Sequence, residues 1–335
     1  MAENVITETL DFSSCKNHIF GVPDENQAAV LSASLKSGEK AANKLCAFIS
    51  EKSAMGDTSL FSSSFEAAAG TMKVATDYSS EKYAATRNEI LFLGESSFKF
   101  FSEKVGYIFN LRYAFCNHIG NFIASLSEKT CAVVIDLIDE KTAVDMPKDF
   151  VKLISEVCES RDILLFVNET LSGFGRTESY FAFGCYSIMP DCFFTLDVLG
   201  NGIALSSVSV KEDLKDYLAK TPVGTDVIAA GALYCVKAAE NCAESVKKKN
   251  KAIVSALKLC KKVVKFSGTG IYFVLEVNDG KETLKQLKAQ GLKLSADKNK
   301  LYFAPPVNVS EEDVKKATAI LKDVLKGNAV NPFDA

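Results

Sequence analysis

Two polar residues follow buried strand patterns, and their positions indicate a site. The apolar runs Ile163 to Val167 and Cys192 to Leu196 are typical of parallel strands, and Asn168 and Asp197 come directly after them. Parallel strands open at their carboxyl ends onto the crevice in which ligands bind. Asn168 can donate and accept hydrogen bonds there, whereas the carboxylate of Asp197 can only accept them.

An acidic cluster follows a third apolar run and resembles a divalent-cation site in composition. Asp136, Asp139 and Glu140 carry oxygen ligands of the kind that Mg²⁺ or Ca²⁺ prefers. Lys141 lies next to these acids, as is common in solvated charged loops, and we therefore expect a loop and no metal site. The two histidines and ten cysteines show no zinc-ligand spacing.

The composition is that of an ordinary globular protein. The chain has 335 residues, of which 47% are hydrophobic and 24% charged, enough for one large α/β domain and a smaller companion. Its net charge of −3 argues against a nucleic-acid partner. Cysteines without a secretory signal indicate a reducing compartment, and no run is long enough to span a membrane. We expect a cytoplasmic protein, or an organellar-matrix protein if a presequence has been removed.

Helix and strand patterns alternate along the chain and must position these residues. A buried strand is predicted at Asn88 to Gly94, and the glycine turn GFGRT places Arg176 near the crevice or a dimer interface. Strands and helices alternate again after residue 270. The predicted helices run from Asp24 to Lys36, Lys40 to Lys52, Val105 to Leu126, Pro147 to Cys158 and Glu311 to Leu325.

The stretch around Asn168 carries a family resemblance. It reads LLFVNETLSGFGRTE and continues, after a helix, as PDCFFTLDVLGNG. This resembles the segment LLIFDEVQTGFGRTG and PDILTLAKALGGG of class III aminotransferases of the acetylornithine and ornithine type, and the likeness extends from about Leu10 to Leu325. The resemblance implies fold type I of the enzymes that use pyridoxal 5′-phosphate (PLP). That fold has a large α/β domain, with a mostly parallel sheet flanked by helices, and a smaller α+β C-terminal domain.

Within this frame, the residues that carry the family's chemistry are replaced. Asn168 stands where the family has the aspartate that pairs with the pyridinium nitrogen, and Leu171 where it has the glutamine beside the ring oxygen. Asp197 stands at the lysine that forms the Schiff base, and it cannot condense with an aldehyde. Tyr302 stands at the arginine that clamps the substrate carboxylate, and a phenol cannot supply that bidentate pair.

The resemblance also assigns other residues of this chain to the family's cofactor and substrate sites, where we expect them to be vestigial. The resemblance places a phosphate turn at the start of a helix, although a serine-capped helix is the favoured interpretation because the bulk of Phe65 would hinder a phosphate. It implies a ring-stacking side chain, a threonine that reaches the neighbouring subunit's phosphate, and a substrate-site position now occupied by lysine. The turn consists of Ser63, Ser64 and Phe65, and the ring-stacking position is Phe98. The threonine is Thr221, and the lysine at the substrate-site position is Lys141.

The predicted organisation has four parts. A shortened N-terminal segment covers residues 1–23, and the large α/β domain covers 24–245. The small α+β domain covers 246–327, and a tail covers 328–335. The resemblance implies a dimer with composite sites, in which the chain pairs with itself, with a paralogue or within a larger assembly.

The resulting hypothesis is a catalytically degenerate aminotransferase-like protein with a structural or regulatory role and no expected cofactor. One alternative is an active PLP-dependent acetylornithine or ornithine aminotransferase that uses another lysine, Lys99 or Lys211. A second alternative is a module that binds a phosphate ester at the helix that begins near Phe65.

Overall fold

The chain folds around two sheets. The computed structural model describes residues 10–13, 40–221, 226–240 and 242–326. The α-helices are α1 (Ala41–Ser53), α2 (Ser64–Tyr83), α3 (Glu95–Val105), α4 (Ile119–Ser125), α5 (Lys148–Ser160), α6 (Asp226–Ala239), α7 (Cys242–Leu257), α8 (Gly280–Ala289) and α9 (Glu311–Val324). Short 3₁₀ helices cover Ala182–Tyr186 and Glu212–Tyr217.

The strands divide between a large and a small sheet, with one short extra pair. They are β1 (Leu10–Asp11), β2 (Asp57–Phe61), β3 (Glu89–Phe92), β4 (Asn110–Tyr113), β5 (Thr130–Asp136), β6 (Leu164–Asn168), β7 (Cys192–Thr195), β8 (Ser206–Val210), β9 (Val263–Thr269), β10 (Tyr272–Val277), β11 (Leu292–Lys293), β12 (Ser295–Asp297) and β13 (Lys300–Phe303).

The large sheet has the order β2-β8-β7-β6-β5-β3-β4. Strand β8 runs antiparallel to both of its neighbours, and the remaining pairs are parallel. Its central strands are buried on both faces, as parallel strands covered by helices must be. The predicted α/β class with a mostly parallel sheet is confirmed. The carboxyl ends of β5, β6 and β7 therefore lie side by side.

The small sheet is antiparallel, with the order β12-β13-β10-β9. Its core includes residues of α7, α8 and α9, such as Ile253, Leu287 and Leu321. Strand β1 pairs with β11 beside it. Helix α7 begins at Cys242 and runs through the expected division between residues 245 and 246, which stays a prediction.

The predicted helix from Val105 to Leu126 is wrong. Helix α3 ends at Val105, and the chain then forms β4, whose register with β3 pairs Glu89 with Asn110. Strand β4 is an edge strand with mostly exposed side chains, so it lacks the alternation of apolar residues that identifies a half-buried strand. The predicted helix from Asp24 to Lys36 lies outside the described residues.

The turn between β9 and β10 holds the small sheet against the large domain. Gly270 has φ +56°, and a Cβ atom there would lie 2.0 Å from the carbonyl oxygen of Arg176. The amide of Ile271 donates to the same oxygen at 3.2 Å. The Arg176 side chain is fully buried, with its guanidinium 5.9 Å from the ring centre of Tyr272. Arg176 therefore lies at this contact and does not line the crevice.

No helix within the described ranges is both long and apolar enough to cross a membrane.

Candidate functional site

A cavity of about 400 Å³ opens at the carboxyl ends of β5, β6 and β7. This is the edge of a parallel sheet at which ligands usually bind. Its volume falls in the range of small-molecule pockets. The wall combines hydroxyl, carboxylate and apolar side chains: Ser64, Ser96, Ser97, Phe100, Asp136, Ile138, Glu140, Asn168, Thr170, Leu171, Ser172, Leu196, Asp197 and Val198.

Three polar side chains form a closed network on the floor of this cavity. Asp136 and Asn168 are paired residues at the ends of β5 and β6, and the Asn168 amide donates to Asp136 Oδ1 at 3.0 Å. It also donates to Ser97 Oγ at 3.0 Å, and the Ser97 hydroxyl donates to Asp136. Burial raises the pKa of Asp136, although the hydrogen bonds from Ser97 and Asn168 lower it. Asn168 is thus held by protein partners.

Gly94 allows this network to form. It lies between β3 and α3, and a Cβ atom at this position would lie 2.0 Å from Asp136 Oδ2. The backbone can therefore approach the carboxylate only when the residue has no side chain. This close approach places Ser97, in the first turn of α3, next to the ends of two other strands.

Asp197 is positioned by β8. Its φ is +55°, a left-handed conformation that aspartate and asparagine adopt more readily than most residues. Its amide donates to Ser206 Oγ at 2.9 Å, and the Ser206 hydroxyl donates to Asp197 Oδ1 at 3.2 Å. The carboxylate therefore lies in the cavity wall on a backbone that its own side chain helps to fix.

A buried glutamate supports the loop after Asn168. Glu169 is fully buried, and its carboxylate accepts from the Ser172 hydroxyl at 2.6 Å and from the Phe183 amide at 2.9 Å. Burial raises the pKa of Glu169 to about 7, because desolvation outweighs these hydrogen bonds. The glutamate thus joins the GFGRT turn to the 3₁₀ helix at Ala182–Tyr186.

The raised pKa of Glu169 predicts that the stability of the protein declines as pH rises. Its pKa rises from 4.5 to about 7 on folding, so the native state binds more protons across that interval. The free energy of unfolding should therefore fall by about 3 kcal/mol as pH rises from about 4.5 to 7. Glu169→Gln stays neutral and should be up to about 3 kcal/mol more stable than the natural protein above pH 7.

Urea unfolding at pH 5 and pH 8 checks this prediction. Glu212→Gln is the matched control, since Glu212 is an exposed glutamate paired with Lys215. An equal loss of stability in the natural protein and in Glu169→Gln between the two pH values would contradict the assignment to Glu169.

Ser63, in the turn before α2, caps the N-terminus of that helix. Ser63 Oγ accepts from the Glu66 amide at 3.2 Å, which confirms the serine-capped helix start. Glu66 itself accepts from the Ser62 hydroxyl at 3.0 Å, so a carboxylate occupies the first turn. Ser64 lines the cavity, whereas Phe65 is 41% exposed and does not line it.

Two other positions that the resemblance assigns to the cofactor site make contacts elsewhere in the same chain. The Phe98 ring stacks on Tyr113 of β4 with 5.5 Å between the ring centres. Phe100, two residues later, is the aromatic side chain that lines the cavity. Thr221 Oγ1 accepts from the amide of Leu60 at 3.0 Å and therefore ties β2 to the segment before α6.

The two substrate-site positions face a different groove. Lys141 and Tyr302 line an open groove of about 590 Å³ on the small sheet. Lys141 pairs with Glu95 at 3.2 Å, and Tyr302 is buried in β13. The structure thus brings Ser64, Asn168, Leu171 and Asp197 together in the cavity but places these two outside its wall. Their assignment to a substrate stays a prediction.

Neither alternative lysine lines the cavity. Lys99 is exposed on α3, and Lys211 pairs with Asp191 at 2.7 Å. Asp191 precedes β7, so this ion pair lies at the amino end of that strand, at the opposite edge of the sheet from Asp197. The length of a strand therefore separates Lys211 from Asp197, whereas Lys99 lies between the cavity-lining Ser97 and Phe100 on α3 but does not itself line the cavity.

The sequence patterns missed Ser97 and Glu169. Ser97 follows a buried strand within ESSF, so its position past a strand end was the available signal. Glu169 carried no signal of its own, because only the folded loop shows that its carboxylate is buried. The sequence predicts an acidic loop that includes Asp136, whereas the structure places Asp136 at the end of β5 and in the cavity wall. Asp139 instead accepts from the amides of Lys141 and Thr142 in its own turn.

The residues present do not fit PLP. Among the described residues that line the cavity there is no lysine, arginine or histidine, while Asp136, Glu140 and Asp197 contribute carboxylates. A phosphate would meet like charges and no cationic partner, and an aldehyde would find no amine. Asn168 can hydrogen-bond a pyridine but does not supply a charge-assisted bond to a pyridinium.

A family model, curated relatives and solved structures all point to the same protein family. The Aminotransferase class-III family matches residues 102–325. Acetylornithine aminotransferase from Caldanaerobacter subterraneus subsp. tengcongensis is 26% identical over 310 residues, which cover 84% of this chain and 79% of that enzyme. N-acetylornithine aminotransferase from Stenotrophomonas maltophilia K279a superposes with a TM-score of 0.77 at 20% identity, covering 94% of this chain and 90% of the other. The ornithine aminotransferase from Toxoplasma gondii, in a structure with partial occupancy of PLP at the active site, superposes with a TM-score of 0.81 at 18% identity. The match covers 95% of this chain and 86% of the other.

Proposed function

Because the chain belongs to the class III aminotransferase family, we propose that it is a member without transaminase activity that acts through binding, as a structural or regulatory subunit. The observation that supports this proposal is the wall of the cavity. It carries Asp197 where the family frame has its lysine, and no amine is present among the described residues that line it. The chemistry of the family requires such an amine, since the cofactor reacts through a covalent bond to it.

The proposed role in assembly rests on an exposed edge of the large sheet. Strand β4 lies at that edge, with no further strand beside it among the described residues. Tyr107 is 76% exposed, Ile108 55% and Phe115 74%, all close to β4 in the sequence. Exposed apolar side chains at a sheet edge are typical of contact surfaces. We propose a partner of the same fold, either a second copy or an active paralogue.

The two alternatives have less support. An active acetylornithine or ornithine aminotransferase would need Lys99 or Lys211, and neither lines the cavity. A phosphate-ester module would need free hydrogen-bond donors at the start of α2. There the Glu66 amide donates to Ser63, and the Glu66 carboxylate adds a repelling charge.

Borohydride reduction after incubation with PLP tests the proposal. Peptide mapping of the full-length protein is expected to find no stoichiometric pyridoxyl group on any lysine. The Caldanaerobacter enzyme serves as the positive control under identical conditions. A stoichiometric adduct on one lysine, and above all on Lys99 or Lys211, would refute the loss of transamination.

A further inference from the structure

We propose that a basic patch beside the small sheet binds the surface of a membrane that contains anionic lipids. The inference goes beyond the proposed function and does not depend on it, because no residue of the cavity wall takes part. Its basis is the charge of the patch, the lack of ion pairs within it and its exposed apolar side chains. This rim patch consists of Lys258, Leu259, Lys261, Val264, Lys265 and Lys322.

The charge of the chain is divided unevenly between its two parts. Residues 242–326 contain eighteen lysines, no arginine and nine acidic residues, which gives a net charge of +9. The rest of the chain therefore carries −12, since the whole chain has −3. The stretch 245–275 alone contains eight lysines and no aspartate or glutamate. Such an asymmetry is typical of a protein in which one part meets an anionic surface.

The turn between α7 and β9 presents part of this charge. Helix α7 ends at Leu257, and Lys258 and Lys261 follow it as exposed side chains. Lys265 is exposed on β9, which is an edge strand of the small sheet. Three lysines therefore lie within eight consecutive residues at the rim of the sheet.

Contacts with the end of α9 add a fourth lysine. The Lys262 amide donates to the carbonyl oxygen of Leu325 at 3.0 Å, and its ammonium group donates to that of Val324 at 3.2 Å. These bonds join the turn to the C-terminal end of α9. Burial raises the pKa of the Cys260 thiol in the turn, and the nearby charge of Lys322 opposes this effect. Lys322 thus lies close to the turn.

The lysines of the rim patch keep their charge for a partner. None of the four forms an ion pair within the ranges that the structure describes. The neighbouring acid on α9, Asp323, lies 3.9 Å from Lys326. The acid opposite Lys265 on β10 is Glu276, which lies 3.9 Å from Lys300. Both acids therefore have other lysines as their partners.

Two exposed apolar side chains lie among these lysines. Leu259 is 63% exposed and Val264 is 65% exposed, and no other large hydrophobic side chain is exposed in the described part of residues 242–326. Lysines alone would suit a solvated rim or would protect an edge strand from pairing. Aliphatic side chains between lysines gain free energy when they enter the boundary between lipid head groups and acyl chains.

The residue types favour a lipid surface over other anionic partners. Arginine provides the bidentate hydrogen bonds that read individual phosphates and bases, and residues 242–326 contain none. An acidic protein surface would pair with the lysines but would leave Leu259 and Val264 against charged groups. An anionic bilayer instead presents charge at its surface and an apolar layer directly beneath it.

Co-sedimentation with lipid vesicles tests the proposal. The full-length protein is mixed with phosphatidylcholine vesicles, with or without about 30% phosphatidylserine, in about 0.15 M salt. We expect at least about tenfold stronger binding to the anionic vesicles, and about tenfold weaker binding to them in about 0.5 M salt. Polyglutamate and a double-stranded oligonucleotide, at the same concentration of negative charge, should bind more weakly than the anionic vesicles.

Variants of the rim patch locate the binding surface. The triple variant Lys258→Gln, Lys261→Gln, Lys265→Gln should bind anionic vesicles about a hundredfold more weakly, at about fivefold for each lysine. Leu259→Ser should weaken binding about fivefold while the salt dependence stays the same, because it removes apolar surface and no charge. It also provides a second readout if the triple variant folds poorly.

The matched control removes three lysines from the large domain. Lys104, Lys129 and Lys152 are exposed there, on or between elements of the large sheet. Their combined change to glutamine alters the net charge as much as the triple variant does, and binding should stay within about twofold of the natural protein. Urea unfolding midpoints should agree among all these proteins, since the changed side chains are exposed.

Several outcomes would overturn the inference. Equal binding to neutral and anionic vesicles, or no binding to either, would exclude an anionic lipid surface. Tighter binding of polyglutamate or the oligonucleotide would assign the patch to an acidic protein or a nucleic acid. Displacement from vesicles by inorganic phosphate, beyond that by chloride of equal ionic strength, would indicate a site for free phosphate. Unchanged binding in both rim-patch variants would exclude this surface. None of these results bears on the loss of transamination.

Discussion

Supplied with PLP, acetylornithine and a 2-oxo acid acceptor, the protein is expected to transaminate on the order of 10⁴-fold or more slowly than the Caldanaerobacter enzyme. The physical reason is the absence of an amine among the described residues of the cavity wall. Asp197 offers a carboxylate in its place, and an acid beside an anionic cofactor weakens binding as well as chemistry. Loss of acetylornithine, followed by mass spectrometry, measures the rate.

Two variants show whether the missing amine is the whole cause. Asp197→Lys places an amine at the position predicted to correspond to the family lysine. We expect this variant to remain inactive, because Asn168 is still bound to Asp136 and Ser97, and no cation lines the described wall of the cavity. Asp197→Asn controls for removal of the acid alone. Activity of the natural protein within about a hundredfold of the Caldanaerobacter enzyme would contradict this account.

Gly270→Ala is expected to destabilise the protein on the order of 4 kcal/mol. The added Cβ would lie 2.0 Å from the carbonyl oxygen of Arg176, on a backbone with φ +56°. The turn would have to withdraw, and the hydrogen bond from Ile271 to that oxygen would lengthen. Because Tyr272 donates to the carbonyl of Glu140 at 2.7 Å, the cavity wall would also shift.

Urea unfolding measures the loss of stability. Gly120→Ala is the matched control: Gly120 is exposed in α4, and its nearest obstacle is the exposed His118 ring at 3.3 Å. That change should stay within about 1 kcal/mol of the natural protein. Equal stability of the two alanine variants would show that the contact between Gly270 and Arg176 does not hold the small sheet in place.

Much of the molecule follows from local patterns. The short apolar runs of β5, β6 and β7 favour strands buried on both faces, and their polar end residues indicate the crevice. The prediction that Asp197 stands at the position of the family lysine also comes from the chain itself. These features depend on residue type and short spacing, and a linear pattern records both.

The partners of the site residues depend on the fold. Ser97 and Asn168 are 71 residues apart, and only the order β6-β5-β3 brings the start of α3 to the end of β6. For the same reason Phe98 meets Tyr113, and Thr221 meets Leu60.

The sequence by itself indicated the fold class and the location of the crevice, and its resemblance to the family predicts Asp197 at the position of the family lysine. The tertiary structure decided which groups face the cavity, and therefore that its described wall carries carboxylates without a cation. The reason is physical: residue types are set along the chain, whereas the charge and shape of a cavity arise from strand register, close backbone approaches and burial, which join distant segments.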